Sequence, residues 1–90
     1  MSRLIADIGA TNARFAIAND AGIQHIDVLP CEGFPTLADA AQAYLKRVDA
    51  ERPDTGAFAV AVPLSGADEV SMTNHVWSFS INATREALGF

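Results

Sequence analysis

The stretch Leu4-Ile5-Ala6-Asp7-Ile8-Gly9-Ala10-Thr11-Asn12-Ala13-Arg14-Phe15-Ala16-Ile17-Ala18 decides the fold. Leu4, Ala6 and Ile8 alternate with Ile5 and Asp7, the two-residue period of a strand. Gly9 to Asn12 breaks that period as a turn. Phe15 and Ile17 then begin a second strand, with Ala16 and Ala18 on its other face, so the two runs read as a hairpin. Asn19-Asp20-Ala21-Gly22 is a second turn, built of residue types that tolerate positive φ. Ile23 to Leu29 returns as a third strand with Ile26 and Val28 on one face, and Pro30 and Pro35 bracket a loop.

Beyond the hairpins the period changes. Leu37, Ala40, Ala41, Tyr44, Leu45 and Val48 fall at the spacing of one helical stripe. Thr36 followed by Asp39 forms a capping-box-like start, and Pro53 is expected to stop the helix. Ala57 to Val62 reads as a fourth strand buried on both faces, with Phe58, Val60 and Val62 against three alanines, and Pro63 ends it. A strand reached through a helix implies a crossover and parallel pairing. Glu69 to Thr73 reads as a short edge strand. Ser80 or Asn82 caps a last short helix, with Gly89 at its C-terminal end. The order is β-β-β-α-β, an irregular excursion and a final helix. This is an α/β chain with a mixed β-sheet and a helix on at least one face.

Composition bounds what such a chain can do. It has 90 residues, half of them hydrophobic, which excludes a disordered tail. Alanine supplies 17 of those hydrophobic residues, so the core must rest on Ile, Leu, Val and Phe. A domain this small buries only about 60–65% of its unfolded surface. Six Lys+Arg against 11 Asp+Glu give a net charge of -5. Lys46-Arg47 is the only basic pair, so no stripe exists to neutralise phosphates of a nucleic acid or an anionic membrane. Cys31 is the only cysteine, which fits a reducing compartment. Asp7 breaks the apolar start too early for a signal peptide, and no run approaches the ~20 apolar residues of a membrane span. The expectation is a cytoplasmic protein.

Two segments carry polar groups that could act on a ligand. In Asp7-Ile8-Gly9-Ala10-Thr11-Asn12 a buried strand opens into a tight turn. Gly9 permits close backbone approach, successive turn amides make an anion-binding concavity, and the Thr11 hydroxyl and Asn12 amide can donate to phosphate oxygens. Asp7 would repel phosphate unless a cation such as Mg2+ stood between them. A plain hairpin turn accounts for the same residues, and neither a Walker lysine nor a GxGxxG pattern is present. The second segment is Met72-Thr73-Asn74-His75-Val76-Trp77-Ser78-Phe79-Ser80. It gathers hydrogen-bonding side chains around the single Trp, as a sugar would require, or it is a loop anchored by a buried Trp77. His75 lacks metal-ligand spacing to His25, Ser65 and Ser71 sit in no nucleophile elbow, and Cys31 reads as an ordinary thiol.

Taken together these segments resemble the bacterial glucokinases, ATP-dependent hexose kinases of the actin-like (ribonuclease H-like) superfamily. The resemblance rests on Ala6-Asp7-Ile8-Gly9-Ala10-Thr11-Asn12-Ala13-Arg14-Phe15-Ala16, then Ala59-Val60-Ala61-Val62-Pro63, then the Thr73 to Ser80 segment, then Leu88-Gly89-Phe90. It spans essentially the whole chain. The first motif is shared across the superfamily, whereas the Thr-Asn-His-x-Trp segment is the more specific one. Ala10 departs from the family, which usually has a second glycine there.

The resemblance implies a mixed sheet of ribonuclease H-like (actin-like ATPase) type forming an incomplete small domain. Residues 1–90 would be a single partial domain, the N-terminal part of a larger two-domain kinase. It further implies ATP and phosphate binding by Ala6, Asp7, Ile8, Gly9, Ala10 and Thr11, with Mg2+ held by Asp7 through water. Thr73 and Asn74 would form a sugar-side loop. The parent's partners would be glucose and ATP, and its reaction the phosphorylation of the glucose 6-hydroxyl that opens glycolysis. The Asn-Asp pair whose Asp the resemblance makes the catalytic base would follow Phe90, so no catalytic residue lies in this chain. The chain alone is therefore expected to be inactive, and its open apolar edge to drive self-association. The alternative is the nucleotide-binding module of another actin-like ATPase, without sugar kinase activity.

Overall fold

The computed structural model describes residues 2–48, 52–60, 68–72 and 77–90. Strand β1 (Arg3–Ile8) turns into β2 (Asn12–Asn19) and β2 into β3 (Gly22–Pro30); a 3-10 turn (Cys31–Gly33) leads to helix α1 (Leu37–Arg47) and then to β4 (Thr55–Val60). These strands form one mixed sheet in the order β3-β2-β1-β4. The two hairpins pair antiparallel and β4 pairs parallel to β1, with Arg3 opposite Thr55 and Ile8 opposite Val60. A separate two-stranded sheet joins β5 (Glu69–Ser71) to β6 (Ser78–Ser80), and β6 runs directly into helix α2 (Ile81–Leu88).

The alternation seen in the sequence sorts the two faces. Leu4, Ala6, Ile8, Ala13, Phe15 and Ile17 are buried on the face that α1 covers with Leu37, Ala40, Ala41 and Tyr44. The Phe15 ring stacks on Tyr44 at 5.3 Å between centroids and meets the edge of Phe58 at 6.5 Å. Arg3, Asp7, Arg14, Ala57 and Ala59 lie exposed on the opposite face.

Local chemistry explains the element ends. The Thr36 hydroxyl caps α1 by accepting from the Asp39 amide at 3.1 Å, and it donates to the Asp39 carboxylate at 3.0 Å in place of the backbone bond that would complete a capping box. Ser80 caps α2 by accepting from the Ala83 amide, and Gly89 closes that helix in the left-handed region at φ 76°. Gly22 takes φ 112° in the second hairpin turn, a conformation that glycine alone adopts without strain. Arg52 donates to the Leu88 carbonyl at the C-terminal end of α2, while Gln42 on α1 donates to the Ala87 carbonyl. The Gln42 bond ties α2 to α1 and the Arg52 bond ties it to the segment that leads into β4, both through carbonyls that the helix itself leaves open.

Three expectations change. Pro53 does not stop α1: the helix ends at Arg47 and Val48 is already extended, with Pro53 buried further along. Among the described residues no strand lies on the outer side of β4, and the strand is not buried on both faces. Phe58 and Val60 are half-buried, and Ala57 and Ala59 are exposed. The apolar face of β3 is also open, with Ile23, Ile26 and Val28 all exposed. The expected end of β4 at Val62 and Pro63 lies outside the described residues.

Candidate functional site: the turn between the first two strands

Ala6, Asp7 and Ile8 close β1, and Gly9, Ala10 and Thr11 form the turn that follows it. Ala6 and Ile8 point into the core, so they anchor the strand and their side chains are out of reach of any ligand. Asp7 points the other way and is exposed, opposite Arg14 on β2 and beside Ala59 on β4. Among the described residues the only ion pair is Arg47 with Asp27 at 3.0 Å, so the Asp7 carboxylate is not neutralised by the arginine facing it. Arg14 is the neighbour that sequence reasoning gave no role. The hairpin register could have found it, because a turn at residues 9–11 places positions 7 and 14 opposite each other.

The turn itself is stitched at two points. The Gly9 amide donates to the Asn12 carbonyl at 2.9 Å, and the Cys31 amide donates to the Thr11 carbonyl at 2.9 Å. The Asn12 side-chain amide donates to the Thr11 hydroxyl at 3.3 Å, so that amide is partly engaged before any ligand arrives. The exposed Ala10 and Thr11 amides and the Thr11 hydroxyl are the donors left within reach of an anion. His25 is the single non-glycine residue at positive φ among the described residues. Ala10 therefore sits in ordinary backbone space, and alanine is tolerated where the resemblance expects glycine. A Cβ on Gly9 would approach the Asn12 carbonyl at 3.4 Å, an ordinary contact, and its φ is not positive. The chain's own packing thus does not demand glycine there.

These residues fit a phosphate group accompanied by a hard cation. Among the described residues no three His, Cys, Asp or Glu side chains come together to hold a metal. Mg2+ needs no such cage, since it is commonly held by one or two carboxylates, water and the phosphates themselves. Asp7 offers one exposed carboxylate, and the turn beyond it offers the exposed Ala10 and Thr11 backbone.

The second segment divides. Thr73, Asn74 and His75 lie outside the described residues. The Met72 amide donates to the Trp77 carbonyl at 3.1 Å, and both flanking side chains are buried. Trp77 is 1% exposed and donates its indole N–H to the Phe34 carbonyl at 2.9 Å. Its ring is a core element and is not available to stack on a sugar. Cys31 is likewise an ordinary thiol, buried so that its pKa is pushed up. A cleft of about 420 Å3 lies away from this turn, between β4, the small sheet and α2.

With this geometry in hand, comparison with known proteins is specific. The family model described as glucokinase matches residues 4–90. The chain is 55% identical over 89 residues to the bifunctional protein glk of Burkholderia lata, covering 98% of this chain and 14% of that protein. It is 51% identical over 88 residues to the glucokinase of Neisseria gonorrhoeae, covering 97% of this chain and 26% of that one. The crystal structure of a glucokinase from an Antarctic psychrotroph superposes with a TM-score of 0.88 at 35% identity, over 99% of this chain and 30% of the other. The chain thus spans about a quarter or less of the curated relatives it matches.

Proposed function

The chain belongs to the glucokinase family, and from that premise we propose that it is the N-terminal small-domain portion of an ATP-dependent hexose kinase. The observation that carries the reading is the turn after β1. It offers exposed Ala10 and Thr11 amides and the Thr11 hydroxyl directly beyond an unpaired carboxylate, Asp7. In the whole enzyme the reaction would move the γ-phosphoryl group of ATP to the 6-hydroxyl of glucose. Phosphoryl transfer asks the protein mainly for positioning and charge neutralisation. The backbone of Gly9 to Thr11 would orient phosphate oxygens, and the core-facing Ala6 and Ile8 would hold β1 rigid behind it. Asp7 would hold Mg2+ through water, and the ion when bound would neutralise phosphate charge. Thr73 and Asn74 would stand on the sugar side. The base that takes the hydroxyl proton would come from polypeptide beyond Phe90, together with the domain that closes on the sugar.

This reading makes the 90-residue chain a binding module without turnover, prone to self-association, and cytoplasmic. The last point fits a lone, buried free thiol; no helix among the described residues is long and apolar enough to cross a membrane. The other actin-like ATPase reading is not favoured by any observation and is weighed down by the family match along residues 4–90. The test has two arms. A coupled ATP–glucose assay on the chain should show no enzyme-like turnover. Amide NMR during Mg2+·ATP titration should move Ala10 and Thr11 first, and Asp7→Asn should weaken that response more in the presence of Mg2+ than in its absence. Turnover by the chain, or undisturbed turn amides at millimolar nucleotide, would overturn the assignment.

A further inference from the structure

The turn between β1 and β2 is tied at two ends that differ in kind. One stitch is local, from the Gly9 amide to the Asn12 carbonyl at 2.9 Å. The other comes from outside that turn, from the Cys31 amide to the Thr11 carbonyl at 2.9 Å. Cys31 opens the 3-10 turn (Cys31–Gly33) directly after Pro30, and its side chain is buried in the core. The Phe34 amide donates back to the Cys31 carbonyl at 3.2 Å and closes the 3-10 turn. The Phe34 carbonyl accepts the Trp77 indole N–H at 2.9 Å. Trp77 is held at its backbone as well, where its carbonyl accepts from the Met72 amide, and both side chains are buried. Thr11, Cys31, Phe34 and Trp77 thus form one series of hydrogen bonds, anchored in the core at Cys31 and at Trp77. A core indole needs a partner for its N–H, and any nearby carbonyl would satisfy it. The partner here is the carbonyl that ends the 3-10 turn whose first amide holds Thr11.

We propose that Trp77 is a positioning residue for the turn after β1: through the 3-10 turn its indole N–H holds the Thr11 carbonyl, and with it the exposed Ala10 and Thr11 backbone that would meet a phosphate. The proposal rests on the nucleotide reading of that turn and adds to it a residue that never touches the ligand. A carbonyl and the peptide plane it belongs to move together, so fixing the Thr11 carbonyl fixes the C-terminal end of the turn. The Gly9 stitch fixes the other end. A turn held at both ends has less freedom to lose when an anion binds, which is how pre-organisation strengthens binding. The series also works in reverse. If holding the 3-10 turn improves affinity for a ligand, the ligand must steady the 3-10 turn and the indole bond by the same free energy. A tryptophan that merely filled the core would have no such response.

The single tryptophan gives one indole N–H resonance, which reads the far end of the series without ambiguity. In the unaltered 90-residue chain, Mg2+·ATP should shift the Cys31 amide and the Trp77 indole N–H with the same midpoint as Ala10 and Thr11. Trp77→Phe keeps an aromatic ring in the core and deletes the donor. Hydrogen exchange at the Cys31 amide should then run about tenfold faster, while the amides of α1 keep their protection. The nucleotide midpoint at Ala10 and Thr11 should rise about fivefold or more. Ala10 and Thr11 amides that respond while Cys31 and the indole stay still would overturn the positioning role and leave the nucleotide reading standing. Unmoved turn amides would overturn both. A Trp77→Phe chain with protected α1 amides and an unchanged midpoint would also remove the positioning role. Should that variant loosen α1 as well, the indole shift of the unaltered chain decides alone.

Discussion

Replacing Tyr44 with phenylalanine isolates one hydrogen bond in the centre of the fold. The Tyr44 ring is fully buried and stacked on Phe15, and its hydroxyl donates to the His25 carbonyl at 2.6 Å. That carbonyl belongs to the residue at positive φ where β3 slips in register, so the bond ties α1 to the irregular part of the sheet. Tyr44→Phe keeps the ring and its stacking and deletes the donor. The bond is only part-buried, so the loss should sit near the net value of one hydrogen bond, about 1 kcal/mol. Tyr44→Ala also removes the ring and should cost about 3–5 kcal/mol. Against a total stability of roughly 5–13 kcal/mol for a chain of this size, the first is tolerable and the second approaches unfolding. Urea unfolding followed by the fluorescence of the single, buried Trp77 measures both. The phenylalanine variant should lower the midpoint with an unchanged slope, and its Tm should fall by about 4–8 °C. The same phenol gives a pH signature. Burial and the nearby Asp27 carboxylate push its pKa up to about 12, above an ordinary value of 10.0. An acid whose folded pKa is raised adds stability below its unfolded pKa and loses it as pH climbs to the folded one. The unaltered chain should therefore weaken between pH 10.0 and about 12, and the variant should lack that component. A Tyr44→Phe chain that matches the parent at neutral pH, or that is as damaged as Tyr44→Ala, would refute the bond as the coupling element.

Three further outcomes are expected. The Asp68 carboxylate accepts from the Ser80 hydroxyl and the Asn82 amide at the start of α2, contacts that with Arg85 hold its pKa below 3.8. Its contribution is present above that value and lost on acidification through the lower one. The stability gap between the parent and Asp68→Ala should therefore close as pH is taken from neutrality to below 3.8 in thermal scans. Ser80→Ala removes the cap of α2 and should cost about 1 kcal/mol by denaturant titration. Gly56→Ala would place a Cβ 2.8 Å from the Phe90 ring and 3.2 Å from Phe58. It should cost about 1–3 kcal/mol as overpacking, and Phe90→Ala in the same chain should abolish most of that penalty. Additive losses in the double variant would show that the two groups do not meet.

How much of this was legible depended on whether the determining contact was local. The α1 stripe was, because Leu37, Ala40, Ala41 and Tyr44 cover one face by spacing alone. So were both helix caps, which are set by a side chain three residues from the amide it serves. The turn after β1 was legible as a turn, since a glycine and polar residues interrupt two alternating strands. Its second stitch, from the Cys31 amide to Thr11, was not, because it joins residues twenty apart. The end of α1 was misplaced as well: the helix stops at Arg47 with Val48 already extended, six residues before Pro53. The exposure of β4 was hidden because Ala and Phe in alternation look the same whether or not a further strand stands alongside. Trp77 was ambiguous in sequence, and only its bond to the Phe34 carbonyl, forty-three residues back, decides that it serves the core.

The parallel pairing of β1 with β4 has a consequence for the order in which this protein can be made. The first three strands pair with immediate neighbours and can zip together as soon as Pro30 has left the ribosome. The central strand β1 must then wait with one side open until Thr55 arrives, 25 residues after Pro30. At ~5–20 residues per second that interval lasts about 1–5 seconds, far longer than a hairpin needs to form. During synthesis the half-built sheet therefore shows a bare flank twice: first along β1, and then along β4 after the crossover has closed. A nascent chain of this design would be handed from one unpaired flank to the next, which makes the timing of translation a determinant of whether it finds its own strand or a neighbour's.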